Sequence, residues 1–236
     1  MKHPFRFSLL PCLTLGAGAV GLCLRLWLFS ATDAKGLLPH FHVADPLLYL
    51  LTALTLAGIF LACRQRSASP LRPGLLRLWC LLGDALGGLC LLLAIVLNRC
   101  GSTMVGSVGC LLCALAMLLA ALWRLGRKAI PYWLFALLTA ALMLCTISQC
   151  RDWGTEPQLQ AYFFPLMASV FAILAAYQRT LMAAGQRRAR SLAFFSQSCL
   201  YFSILSLNTH QWPLYLGLLF WSSALIIPCY RTKKEE

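Results

Sequence analysis

Long apolar runs broken by short basic clusters constrain this 236-residue chain more than any other feature, because each run is near the 20 residues needed to cross a bilayer as a helix. Windows of that length place spans at 7-30, 46-63, 77-97, 104-123, 131-150, 161-178, 191-207 and 213-230. With 60% apolar and only 11% charged residues, and a mean hydropathy of +0.75, the chain has too little polar surface to coat a water-soluble globule. The expected fold class is all-α: one polytopic membrane helix bundle with about eight transmembrane helices, occupying 1-236 as a single integral domain. No stretch between spans approaches the roughly 50 residues of an independent fold.

The cations test this division. Lys2, Arg6, Arg64, Arg66, Arg72, Arg77, Arg124, Arg127, Lys128, Arg179, Arg187, Arg188, Arg190, Arg231, Lys233 and Lys234 fall on one side of the alternating spans. Lys35, Arg99 and Arg151 fall on the other, and Arg25 lies inside a span. Positive loops face the cytoplasm, so both termini are expected there. A net charge of +13 concentrated in membrane-proximal loops points to anionic lipid headgroups, not to nucleic acid, which is not an expected partner. The apolar first segment runs past the small residues Ala17 and Ala19, as an uncleaved span would.

Ionisable groups inside a span are expensive and mark sites. Arg25 lies near the outer end of its helix and is expected to extend to the interface. Asp84 sits deeper, beside Gly83, Gly87 and Gly88, a small-residue pattern that brings another helix close. Thr14, Thr55, Thr139, Ser169, Gln197 and Ser222 occupy similar depths on the inner side of their spans. Asp84, Thr55, Thr139, Gln197 and Ser222 are therefore the candidate substrate or proton path; helix-contact hydroxyls with no further role are the competing reading.

On the outer side, Arg151, Asp152, Trp153 and Glu156 form the densest polar segment, suited either to recognising a small polar molecule or to holding a hairpin closed. Twelve cysteines are mostly apolar fillers. Cys100 and Cys150, with the Cys110-x-x-Cys113 motif, loosely resemble the thiol pairs of membrane enzymes that make disulfides by passing electrons to a quinone. Leu111 and Leu112 set that motif in hydrocarbon, where a thiolate is disfavoured. His40, His42 and His210, with Asp33 and Asp45, lack metal-ligand spacing, so neither a metal nor another cofactor is expected. Phosphate-binding, zinc-protease and serine-hydrolase motifs are missing, and a non-enzyme is expected.

The stretch Arg151-Asp152-Trp153 through Pro157-Gln158-Leu159-Gln160 and Tyr162-Phe163-Phe164, together with Phe7-Ser8-Leu9-Leu10-Pro11 and Arg25-Leu26-Trp27, resembles an uncharacterised family of multi-span bacterial plasma-membrane proteins. The resemblance implies a plasma-membrane address and no particular activity. The terminal Lys233-Lys234-Glu235-Glu236 also fits a dilysine retrieval pattern, the alternative address. The leading functional expectation is a small-molecule permease or the membrane component of a transporter. The alternatives are a non-catalytic sensor, scaffold or assembly protein with a membrane or cytoplasmic partner, and a quinone-linked thiol oxidoreductase.

Overall fold

A computed structural model describes residues 9–31, 42–64, 73–100, 103–126, 130–153, 159–186 and 189–226. They form eight α-helices: α1 (Leu9–Ser30), α2 (Ala44–Arg64), α3 (Pro73–Val96), α4 (Met104–Leu125), α5 (Tyr132–Trp153), α6 (Leu159–Ala183), α7 (Ala189–Leu205) and α8 (Trp212–Ile226), with a 3-10 turn, Ser206–Asn208, between the last two. Each helix lies over one of the expected apolar segments, and six of them, α1 to α6, are long and apolar enough to cross a membrane. Among the described residues α7 and α8 comprise 17 and 15 residues, short of that length.

The connections are short and successive helices run antiparallel, so α1 begins and α8 finishes at one end of the bundle, here the near end. Six helices close into a ring: α3 packs on α4, α4 on α5, α5 on α6, α6 on α7, α7 on α8, and α8 returns to α3. The α1–α2 hairpin lies outside this ring and docks on α7.

Small residues set the ring closure. A Cβ on Gly83 would stand 2.4 Å from Ala224 Cβ and 2.8 Å from the Phe220 carbonyl oxygen, and one on Gly217 would stand 2.9 Å from the Gly87 carbonyl oxygen. Helix α8 thus touches the backbone of α3, the contact foreseen from Gly83 and Gly87. On the next face, Gly88 admits Leu118 of α4 at 2.8 Å, and Gly109 admits Cys145 of α5.

Helix α7 explains its own shortness and polarity. It carries Ser196, Gln197, Ser198 and Ser203, and every residue from Ser196 to Leu205 is buried. Enclosed by α1, α2, α6 and α8, it meets protein where other spans meet lipid, so apolar composition is not required of it. Around it the aromatic rings stack, with Phe171 and Phe202 centroids 5.3 Å apart and nearly parallel.

Arg25 departs from its expected course. Its side chain is 2% exposed and does not reach the interface. One guanidinium nitrogen, Nη1, donates a hydrogen bond to the Leu205 carbonyl oxygen at the last residue of α7, and the guanidinium lies 5.4 Å from the ring centroids of both Phe29 and Phe164. The negative end of a helix and two aromatic faces replace water as its partners, which a bilayer interface would otherwise supply.

Candidate functional site

Asp84 is fully buried and, among the described residues, the least exposed charge in the bundle, and its surroundings follow from the fold. Gly88, one turn further along α3, lets α4 approach closely, and the antiparallel crossing brings the last turn of α4 to the level of Asp84. There Arg124 Nε donates to Asp84 Oδ2 at 2.6 Å, with the two side chains 13% and 1% exposed. Arg179, in the last turns of α6, is a second positive charge close enough to act on Asp84. Its guanidinium lies over Phe135 of α5, 5.2 Å from the ring centroid. Helices α3 and α6 are not neighbours in the ring, so Asp84 and Arg179 meet across its interior.

The second carboxylate oxygen, Asp84 Oδ1, is buried and has no hydrogen-bond partner among the described residues. In a low-dielectric interior an acceptor in this state is costly, about 1–3 kcal/mol, more when charged. Cys80, one turn before Asp84, shares the electrostatic environment of the trio and donates its thiol to the Ala224 carbonyl oxygen at 3.4 Å.

The other expected path residues do not join this pair through any direct contact. Thr139 donates to the Phe135 carbonyl oxygen at 2.8 Å, within α5. Ser222 donates to the Leu219 carbonyl oxygen at 3.1 Å and lies beside Cys199 of α7. Gln197 is fully buried with neither amide atom bonded. These three lie on ring helices within about 12 Å of the near ends of their helices, the same half as Asp84. Thr55 is placed elsewhere: α2 lies outside the ring, and the Thr55 hydroxyl donates to the Leu51 carbonyl oxygen at 2.7 Å. Depth alone could not distinguish a ring helix from the docked hairpin.

Arg124 and Arg179 are the residues that sequence reasoning misses, because both fall in the basic clusters that read as cytoplasmic anchors. The available signal was continuity: Arg124 lies between Trp123 and Leu125 in an unbroken helical run, so its side chain belongs to a helix face.

At the far end a second buried polar group appears. Ser169 of α6 donates to Gln149 Oε1 of α5 at 3.1 Å, and Tyr215 of α8 lies beside Ser169 with Arg25 near enough to act on it. Gln149 is 1% and Tyr215 0% exposed. Gln149 therefore belongs to a helix interior.

The cysteines rearrange as well. Cys110 Sγ lies 3.7 Å from Cys145 Sγ across α4 and α5, so its cross-helix neighbour is Cys145 and not Cys113. Cys100 is 1% exposed and not on the surface; its hydrogen bond with Cys110 and its burial push its thiol up, away from the reactive thiolate. Cys150 is exposed, and the described cysteines are all free thiols. Arg151 and Asp152 occupy the last turn of α5 at the far end, with Arg151 exposed; Trp153 closes that helix, and Glu156 lies outside the described residues, as does His40. Among the described residues no group of three or more His, Cys, Asp or Glu could hold a metal ion. Comparison with family models, with curated proteins and with solved structures finds no match to this chain.

Proposed function

We propose that this protein is a small-molecule permease, or the membrane component of a transporter, whose path runs through the six-helix ring and whose near-end station is Asp84 with Arg124 and Arg179. In this reading the near end faces the cytoplasm of a bacterial cell, both termini are cytoplasmic, and the membrane is the plasma membrane. The observation that carries the reading is Asp84 itself: a carboxylate 1% exposed in the ring interior, one oxygen held by Arg124 and the other, Oδ1, left to accept a proton or a donor group of a substrate. Exchange of the Arg124 partner for such a group would alternate between a closed ion pair and a loaded site.

The test compares untargeted metabolite uptake and release by cells expressing the wild type, Asp84→Asn or Arg124→Gln at equal membrane levels, over a range of external pH. The reading requires a wild-type-dependent change in one or a few solutes that Asp84→Asn removes. Identical profiles at every pH overturn it.

The seal over the carboxylate favours a second reading. With Asp84 closed off by packed helices, the ion pair would lock α3 to α4 in a non-catalytic sensor, scaffold or assembly protein whose basic face meets anionic headgroups or a cytoplasmic partner. A quinone-linked thiol oxidoreductase is the minor alternative, supported by the Cys110–Cys145 approach. Co-purification of a stoichiometric partner from cells, unaffected by Asp84→Asn, separates the scaffold from the permease.

A further inference from the structure

Between α1 and α2, on the near half of the hairpin, lies a cavity of about 380 Å³. Its walls are Leu10, Thr14 and Ala17 on α1 and Thr55, Gly58 and Ile59 on α2, spaced by three and four residues as one face of each helix. From residue 10 to residue 17 the groove is about 10 Å long. Both hydroxyls on its wall are turned to their own backbones, Thr14 to the Leu10 carbonyl oxygen at 2.9 Å and Thr55 to that of Leu51, so the lining presents carbon. A Cβ on Gly58 would meet nothing within 4 Å. Helix α2 leaves open here the space that the ring glycines give up to a neighbouring helix.

The near end of the groove is positively charged. Leu10, Ile59 and Cys63 pack with Ala193 of α7. Arg64 follows Cys63, and Arg190 precedes Ala193 by three residues, which sets it on the same helix face; both arginines are exposed. An apolar slot capped by two exposed cations is complementary to a molecule with a hydrocarbon tail and an anionic head.

We propose that this groove binds one acyl chain of an anionic glycerophospholipid, with its phosphate head at Arg64 and Arg190. The assignment stands independently of any transport activity, since none of these residues belongs to the Asp84 station. The bound lipid would fill the seam of the hairpin and tie it to the membrane leaflet at the near end.

The experiment is native mass spectrometry of the full chain released from micelles after exchange into mixed phosphatidylglycerol and phosphatidylcholine of the same acyl length. Wild type is expected to retain one phosphatidylglycerol, preferred about fivefold for each arginine engaged. Gly58→Leu, which fills open space, is expected to lose the bound lipid of either head group while keeping its thermal stability. Arg64→Gln with Arg190→Gln is expected to keep one lipid but bring the preference to about one. Equal retention of both lipids by wild type overturns the head-group assignment, and unchanged retention by Gly58→Leu overturns the groove. A dimer peak that Gly58→Leu abolishes, without bound lipid in wild type, assigns the groove to a second copy of the chain and also overturns the proposal.

Discussion

The ring and the hairpin are made of equally greasy sequence and held by different means. Helices α2 and α3 have the same mean hydropathy over their most apolar stretches, yet 22% of that stretch is buried in α2 and 39% in α3. Hydropathy puts a helix in the bilayer and does not say whether its neighbour there is lipid or protein. Glycine contacts do: Gly83, Gly87, Gly88, Gly109 and Gly217 each meet another helix within the ring, Gly18 and Gly21 of α1 meet Ile204 and Leu205 where the hairpin docks on α7, and Gly16 and Gly58 meet nothing within 4 Å. Apolar side chains gain little by leaving lipid for protein, so close backbone approach, with the dispersion and hydrogen bonds it allows, sets which helix faces meet protein in the ring and at the α1–α7 junction, and leaves the Gly58 face of α2 open.

The sharpest way to break this comparison is at the ion pair. Asp84→Leu, which strands Arg124, is expected to cost about 3–5 kcal/mol of unfolding free energy, whereas Asp84→Leu with Arg124→Leu should regain most of it. Steric-trap or detergent unfolding measures both, and a single substitution without cost would deny that the ring closes on this pair. Next comes the junction between the two regions. Arg25→Met is expected to cost about 1.5–3 kcal/mol through the lost bond to Leu205, seen as faster hydrogen exchange in α1 with the ring unchanged. Equal acceleration in α3 and α4 would mean that hairpin and ring are one cooperative unit.

A paired glycine test has a smaller effect. Gly83→Leu should destabilise by about 1–3 kcal/mol because Ala224 and the Phe220 backbone stand in the way, while Gly58→Leu should stay within about 0.5 kcal/mol. Similar costs at the two positions would erase the distinction. The smallest expected difference lies within α2. Thr52, whose hydroxyl meets the Tyr201 hydroxyl at 3.0 Å, should lose about 0.6 kcal/mol on Thr52→Val, and Thr55→Val should lose less because its hydroxyl donates to the Leu51 carbonyl oxygen of its own helix and is the weaker of the two hydroxyl neighbours of Tyr201.

What could be read from the chain follows the same division. The eight helical segments were legible because a run of apolar residues is a local property, and helix ends fell within about five residues of the expected bounds, including those at Ala183 and Trp153, where polar residues continue the helix into what looked like loop. Asp84 was legible as a site because a buried carboxylate is rare in any apolar run. Its partners were not. Arg124 and Arg179 carry the same residue type as Arg127 and Arg187 of the same basic clusters, and residue type alone does not say which cation turns into the bundle. Thr55 shows the converse error, since its depth matched that of Thr139 but its helix lay outside the ring. Cys145 gave no signal beside the conspicuous Cys110-x-x-Cys113 pattern, because contact between α4 and α5 depends on Gly109, a residue that binds nothing itself.

The bond from Arg25 to the end of α7 spans 180 positions of the chain. During synthesis the first helix therefore enters the bilayer with its guanidinium unmatched and must keep it hydrated, or shielded by the insertion machinery, until Leu205 has left the ribosome. Truncated nascent chains ending before and well after that residue should consequently differ in how firmly α1 is integrated, making the completion of α7 the moment at which the α1–α2 hairpin settles.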